Sequence, residues 1–187
     1  MNEGVFVDEI ADRLGPVARE LLDAWMKLPR VDGVPSRDSF DPMAIIHILP
    51  VISIIGREGE DKWRYRLVGT EIERRWNRRI TGMDCYESVS PSAVAVMRRE
   101  FKDIVEWPCG SRSRRRVELV SGRAAVIETL RLPLRAKDGD ISQILSCSGE
   151  LPGRITTLPD PTREIITIVE QEYFDIGAGR PSHGAIE

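Results

Sequence analysis

Arginine and glutamate supply most of the chemistry this chain has to offer. Arg112, Arg114, Arg115 and Arg116 form one basic run and Arg74, Arg75, Arg78 and Arg79 a second. Guanidinium forks of this kind bind carboxylates and phosphates bidentately. Glu71, Glu73 and Glu118 interrupt or match both runs, so the patterning predicts solvated faces with local ion pairs rather than nucleic-acid contact. No aromatic residues alternate with these arginines to stack bases. Glu128 is a different case. In an unbulged strand it shares a face with Val126, Leu130 and Leu132, so its carboxylate lies in or beside the core and requires a partner. A bulge would turn it to solvent instead. An arginine of the stretch Arg64 to Gly82, with Arg66 the first choice, or a polar ligand would serve as that partner.

Catalysis and metal binding find less to build on. His47 and His183 have no neighbouring Asp, Glu or Cys at metal-ligand spacing. Cys85, Cys109 and Cys147 are odd in number and widely spaced, which fits neither a disulfide framework nor a paired zinc motif. The chain has no nucleophile elbow, no Ser/Cys-His pairing and no carboxylate dyad at a recognisable spacing, so the expectation is a protein that is not an enzyme. Gly177-Ala178-Gly179 lacks the strand and helix that would make it a phosphate loop.

The bulk properties agree with a globular domain. The 187 residues suffice for one large domain or an ordinary one with extensions, and 27 basic against 30 acidic residues leave no global pull towards nucleic acid or anionic lipid. No apolar run approaches the roughly 20 residues that a membrane helix needs. The acidic N-terminus does not read as an export signal, which places the protein in the cytoplasm.

The positioning elements follow from periodicity. After a polar lead, Gly15-Pro16 opens a helix with Val17, Leu21, Leu22, Trp25 and Leu28 on one face, ending before Pro29. A loop follows to Phe40, and Asp41-Pro42 starts a short helix that Pro50 stops. Val51 to Ile55 and Trp63 to Val68 form an antiparallel strand pair, with Tyr65 and Leu67 on one side of the second strand. Gly69-Thr70 then switches the chain into a short helix, Thr70 capping it and Ile72 and Trp76 sharing a face up to Thr81-Gly82. Ser90-Pro91 opens a longer helix carrying Val94, Met97, Phe101, Ile104 and Val105 on one stripe. Arg115 to Val120, a turn at Ser121-Gly122, Ala124 to Leu134, a hairpin turn at Asp138-Gly139, and Ile141 to Leu151 complete a three-strand meander. The segment from Arg163 to Phe174 fits helix or strand, and the chain beyond Gly177 reads as disordered.

This element order resembles the PAS fold, a small sensor domain. Trp25, the string Pro35-Ser36-Arg37-Asp38 with Phe40-Asp41-Pro42, Leu49-Pro50, RYRLVGTEI from Arg64 to Ile72, Trp76 and Thr81-Gly82 are together similar to a bacterial family of stand-alone PAS-like proteins once catalogued as a domain of unknown function. The resemblance covers roughly residues 17 to 152. Asn77 stands where that family often has a small residue, and Arg79 where it often has an acid. The resemblance implies an α+β domain, a PAS-like five-stranded antiparallel sheet with helices packed on one face, plus an N-terminal helical extension. Residues 1–50 form that extension, 51–152 the PAS-like core and 153–187 a partly disordered C-terminal extension. Haem-binding PAS domains use a histidine on the long helix, which Val94 to Val105 lacks. Photosensory ones carry a reactive cysteine in a polar motif that GMDCYES around Cys85 does not reproduce. No cofactor is therefore expected, and Cys85 reads as structural.

The resulting expectation is a sensory or regulatory module that binds a small molecule in a cavity between sheet and helices. Tyr65, Leu67, Trp76, Tyr86, Met97, Phe101, Val126 and Glu128, with Trp63, are the candidate lining. Signalling would pass to a partner protein or through a homodimer seamed by Leu21 and Trp25, with no nucleic acid and no membrane involved. The alternative is a ligand-free interaction adaptor whose cavity those same side chains fill.

Overall fold

A computed structural model describes residues 4–87, 89, 91–118, 124–152 and 166–181. The chain opens with helices α1 (Gly4–Ala11) and α2 (Pro16–Met26). The second is the expected amphipathic helix; the first lies in what reads as a polar lead. Eight residues are too few for a helix to persist alone. Val7, Ile10 and Ala11 of α1 share a core with Phe174 and Ile176 from the far end of the chain, and that packing holds the helix. A two-residue ladder, β1 (Arg30–Val31) with β2 (Val34–Pro35), and three 3-10 turns lead into the sheet. The expected short helix after Asp41 is one of these turns: the Asp41 carboxylate accepts from the Met43 N–H at 2.9 Å, while Pro50 sits inside the last of them rather than before it.

The sheet comprises β3 (Ile52–Gly59), β4 (Lys62–Val68), β5 (Cys109–Glu118), β6 (Ala124–Arg135), β7 (Ile141–Glu150) and β8 (Ile166–Asp175), interrupted by helices α3 (Thr70–Trp76) and α4 (Pro91–Glu106). It is antiparallel throughout, in the order β4-β3-β7-β6-β5-β8. Strands β3 to β7 are the expected five. The sixth, β8, resolves the helix-or-strand ambiguity of its segment by running along β5 from Ile166 to Asp175. The turn expected at Ser121-Gly122, His183 and the chain end beyond residue 181 lie outside the described residues.

Both faces of the sheet are covered. Helices α1 and α2 share a core with Leu130, Leu132, Leu134, Leu145 and Cys147 on one face. Helix α4 packs on the other, with Ile55, Trp63, Cys109 and Ile144. Helices α1 and α2 thus cover the face of the sheet opposite α4. This corrects the role expected of Leu21 and Trp25: both are 0% exposed, and Trp25 Nε1 donates to the Pro133 carbonyl at 3.0 Å. The stripe that resembled a dimer seam is used up inside the chain.

The switch after β4 depends on Gly69. Its N–H donates to the Ile52 carbonyl at 2.7 Å, and a Cβ there would run into the carbonyl oxygens of Pro50 and Leu49. Gly69, not Thr70, occupies the N-cap of α3, and no side chain caps it. Gly69→Ala is expected to lower stability by roughly 1–3 kcal/mol, the cost of overpacking against backbone that has little room to move. A urea midpoint unchanged from the parent would show that the 3-10 turn yields instead.

Candidate functional site

Helix α4 presents Met97, Glu100, Phe101 and Ile104 to the sheet at spacings of three and four, one helical face. Beneath it the pleat turns alternate residues of each strand inward. Strand β5 contributes Ser111, Ser113 and Arg115, β6 Thr129 and Arg131, and β8 Gln171 and Tyr173, in register as Ser111↔Arg131, Ser113↔Thr129, Ser113↔Gln171 and Ser111↔Tyr173. The face under α4 is therefore apolar at one end and polar at the other.

The apolar end holds part of the expected pocket. Trp63, Tyr65, Tyr86, Met97 and Phe101 come together there. Phe101 lies 5.2 Å from the Trp63 ring and 6.2 Å from the Tyr86 ring, so this end is packed core. Burial pushes the Tyr65 hydroxyl up to about 12. The other candidates are placed elsewhere. A bulge at Arg66 sets Tyr65 opposite Ile55 but Leu67 opposite Ile54, and those two isoleucines belong to different cores. Leu67 is consequently turned to the α2 side of the sheet. Trp76 is partly buried outside both cores. Val126 and Glu128 lie on the face of Leu130 and Leu132, opposite α4, because the β6–β7 register runs unbroken from Ile127 to Leu134.

Glu128 is buried there at 2% exposure and has its partners. Its Oε2 accepts from the Gly15 N–H at 2.7 Å, and its Oε1 from Arg112 Nε at 2.8 Å and Arg114 Nε at 3.5 Å. Arg66, the first-choice partner, pairs with Glu58 at 3.1 Å instead. The basic run is not a solvated face. The pleat sends Arg112 and Arg114 to the α2 side and Arg115 to the α4 side, and Arg112 is 1% exposed. The second run conforms better: Arg74 and Arg75 pair with Glu71 at 2.7 and 3.3 Å on a more open surface, and the hydrogen bond from Arg74 holds the Glu71 carboxyl below its usual range.

The polar end under α4 was not foreseen. Glu100, at 3% exposure, accepts from Arg131 Nη1 at 2.8 and 2.9 Å on its two oxygens and from Ser111 Oγ at 2.6 Å. Arg131 also lies over the Phe101 ring at 5.5 Å. Arg115 donates to Thr129 Oγ1 at 2.6 Å, and Thr129 in turn lies 3.2 Å from Ser148 Oγ. Burial, and then the like charge of Arg131, pulls the Arg115 guanidinium down to about 10. Glu100, Ser113, Arg115, Arg131 and Gln171 surround a cavity of about 20 Å³, closed from above by Ala93, Val96 and Met97. Ser113 Oγ, Arg115 Nε, Arg131 Nε and Gln171 Oε1 are buried without a hydrogen-bond partner among the described residues. One signal for this site was present in the sequence. A strand covered on both faces reads as a nearly continuous apolar run, and Arg131 breaks that run between Leu130 and Leu132.

The three cysteines are buried, unbonded thiols, and desolvation pushes each from its usual 9.0 up to about 12. Native protein at pH 8 is expected to resist iodoacetamide at all three until urea unfolds it, because the thiolate is the nucleophile. The same shift has a sign for stability. The unfolded thiols ionise first as pH rises above 9, so stability falls between pH 9 and 12. Rapid native labelling would contradict the burial.

A family model described as PAS domain matches residues 15–148. No curated protein sequence matches the chain. Among solved structures, VqmA of Vibrio cholerae as a dimer in the absence of target DNA is similar at 12% identity and a TM-score of 0.48, over 59% of this chain and 50% of that one. The VqmA–ligand–DNA complex is similar at 12% identity and 0.47, over 58% and 49%. An RNA-binding light-oxygen-voltage receptor is similar at 15% identity and 0.44, over 66% and 36%. The chain spans about half the length of VqmA. The expectation that nucleic acid plays no part does not stand. The similar structures include one in complex with DNA and one described as RNA-binding.

Proposed function

The chain belongs to the PAS domain family, and we propose that it is a cytoplasmic sensory module, not an enzyme, which takes up a small molecule between α4 and the sheet and signals its occupancy through protein contacts. The observation that carries this reading is the set of buried, unpartnered polar atoms around one cavity, Ser113 Oγ, Arg131 Nε and Gln171 Oε1 foremost. Buried polar groups are almost always paired, and each one left unpaired costs roughly 1–3 kcal/mol. A core whose only task is to support a docking surface has no reason to keep several of them together. A ligand that satisfies them gains that free energy on binding.

The cavity has room for about one water, so a larger occupant must lift the Ala93–Met97 turn of α4 from the sheet. That movement has a reader on the outside. Arg98 of α4 pairs with Asp61 of the β3–β4 turn at 2.6 Å, beside a surface groove of about 430 Å³ that Arg99, Lys102 and Glu106 also line. Displacing α4 reshapes the groove, which offers a partner or a second copy two different surfaces.

Native mass spectrometry of the purified protein tests this. The expected result is a small molecule that co-purifies with the parent and is lost in Met97→Trp, which fills the cavity. An apo mass from the parent in repeated preparations, with a crystal structure showing only waters on Ser113 and Arg131, would favour the ligand-free adaptor.

A further inference from the structure

Among the described residues, the cavity under α4 is lined by one cation more than it has anions, and we infer that its ligand is a small organic carboxylate held by Arg115. The inference rests on the reading of that cavity as a ligand site. Among the described residues, three charged side chains line it: Glu100, Arg131 and Arg115. The Glu100 carboxylate is already taken, since both its oxygens accept from Arg131 and Ser111 adds a third hydrogen bond. Arg115 has no such counterpart. Among the described residues no carboxylate lies within ion-pair distance of it, and its one acceptor among them is the neutral Thr129 hydroxyl. A guanidinium remains charged at any pH the protein meets, and burying it unpaired is costly unless an anion arrives to share the site.

The remaining groups narrow the class. Arg115 Nε and Arg131 Nε are unpartnered N–H donors on the same cavity, the arrangement that a carboxylate accepts from with both oxygens. Ser113 Oγ can donate or accept, whereas Gln171 Oε1 only accepts, so it calls for a donor on the ligand. A short 2-hydroxy acid supplies both: a carboxylate for the two arginines and a hydroxyl for Gln171. The apolar cover from Val89, Ala93, Val96 and Met97 and the small cavity favour a compact planar anion over a tetrahedral phosphate. Like-charge repulsion acts in the same direction. After burial, the charge of Arg131 depresses Arg115, and a carboxylate between the two relieves this.

The test uses four probes by titration calorimetry on the full chain: glycolate, its neutral amide glycolamide, propionate and inorganic phosphate. Glycolate is expected to bind, glycolamide to bind at least roughly tenfold more weakly, and Met97→Trp to abolish both. Arg115→Gln should remove the preference for acid over amide, whereas Arg115→Lys, which keeps the charge, should retain it; circular dichroism of both variants confirms folding. Equal binding of glycolate and glycolamide, lost in Met97→Trp, would overturn the carboxylate inference while leaving the pocket reading intact. Preferential binding of phosphate, or no binding of any probe to a protein that co-purifies with some other molecule, would overturn it as well.

Discussion

Replacing Glu100 with alanine is expected to remove roughly 3–5 kcal/mol of stability, enough to unfold a domain of ordinary stability at modest urea. Glu100 is 3% exposed and neutralises Arg131, itself 5% exposed, through two contacts at 2.8 and 2.9 Å. Without it Arg131 and Arg115 face each other across one small cavity with no anion between them. Ser111 also loses its acceptor at 2.6 Å. Removing one member of a buried pair costs more than removing both, because the penalty is the solvation that the surviving charge forgoes. Glu100→Leu combined with Arg131→Met should therefore recover most of the loss. Urea denaturation of the two variants checks this, with the slope unchanged from the parent. A double variant no more stable than Glu100→Ala would mean that the pair does more than neutralise itself.

Arg112→Ala is the second large effect, again roughly 3–5 kcal/mol. Its guanidinium, 1% exposed, bridges four acceptors: Glu128 at 2.8 Å, Glu170 at 3.1 Å, Glu172 at 2.8 Å and the Arg13 carbonyl at 3.1 Å. Removing it leaves three carboxylates converging on a place where charge was neutralised. Glu128, 2% exposed, keeps only Arg114 at 3.5 Å and the Gly15 N–H. The Arg13 to Gly15 link between α1 and α2 loses one of the contacts that fix it to the sheet. Hydrogen exchange should therefore accelerate in α1 more than in β6, and Glu128→Leu made on top of Arg112→Ala should cost far less than it does alone. Additive losses would show that the two residues act separately.

These two networks explain which parts of the protein were legible beforehand. Helix α2, helix α4 and the hairpin at Asp138-Gly139 rest on local rules, apolar residues every three or four positions and a glycine at φ 91, and each is found where the spacing places it. The family was legible for the same reason, since Arg64 to Ile72 and Thr81-Gly82 are local strings. Alternation offered Glu128 the face of Leu130 but left a bulge open, and the unbroken β6–β7 register decides it. Its partners were not legible. Arg112 reaches Glu128 through cross-strand pairing, and Glu172 comes from a strand whose very type the sequence left open between helix and sheet. Helix α1 was missed because an eight-residue segment is too short to show a helical repeat, and its Val7, Ile10 and Ala11 acquire meaning only when β8 is placed beneath them.

Local periodicity thus determined an α+β order with one long helix and an antiparallel meander, because helical and strand repeats are properties of neighbouring residues, and the likeness to PAS domains came from the resemblance of its local strings. What only the tertiary structure decided is the fate of the charges. A run written as Arg112, Ser113, Arg114 and Arg115 looks like one basic patch, but a pleated strand covered on both sides divides it. Arg112 and Arg114 go to a buried clamp on the N-terminal extension, and Arg115 goes to the cavity under α4. Which face each arginine meets, and whether a carboxylate waits there, depends on strand register and on helices distant in sequence.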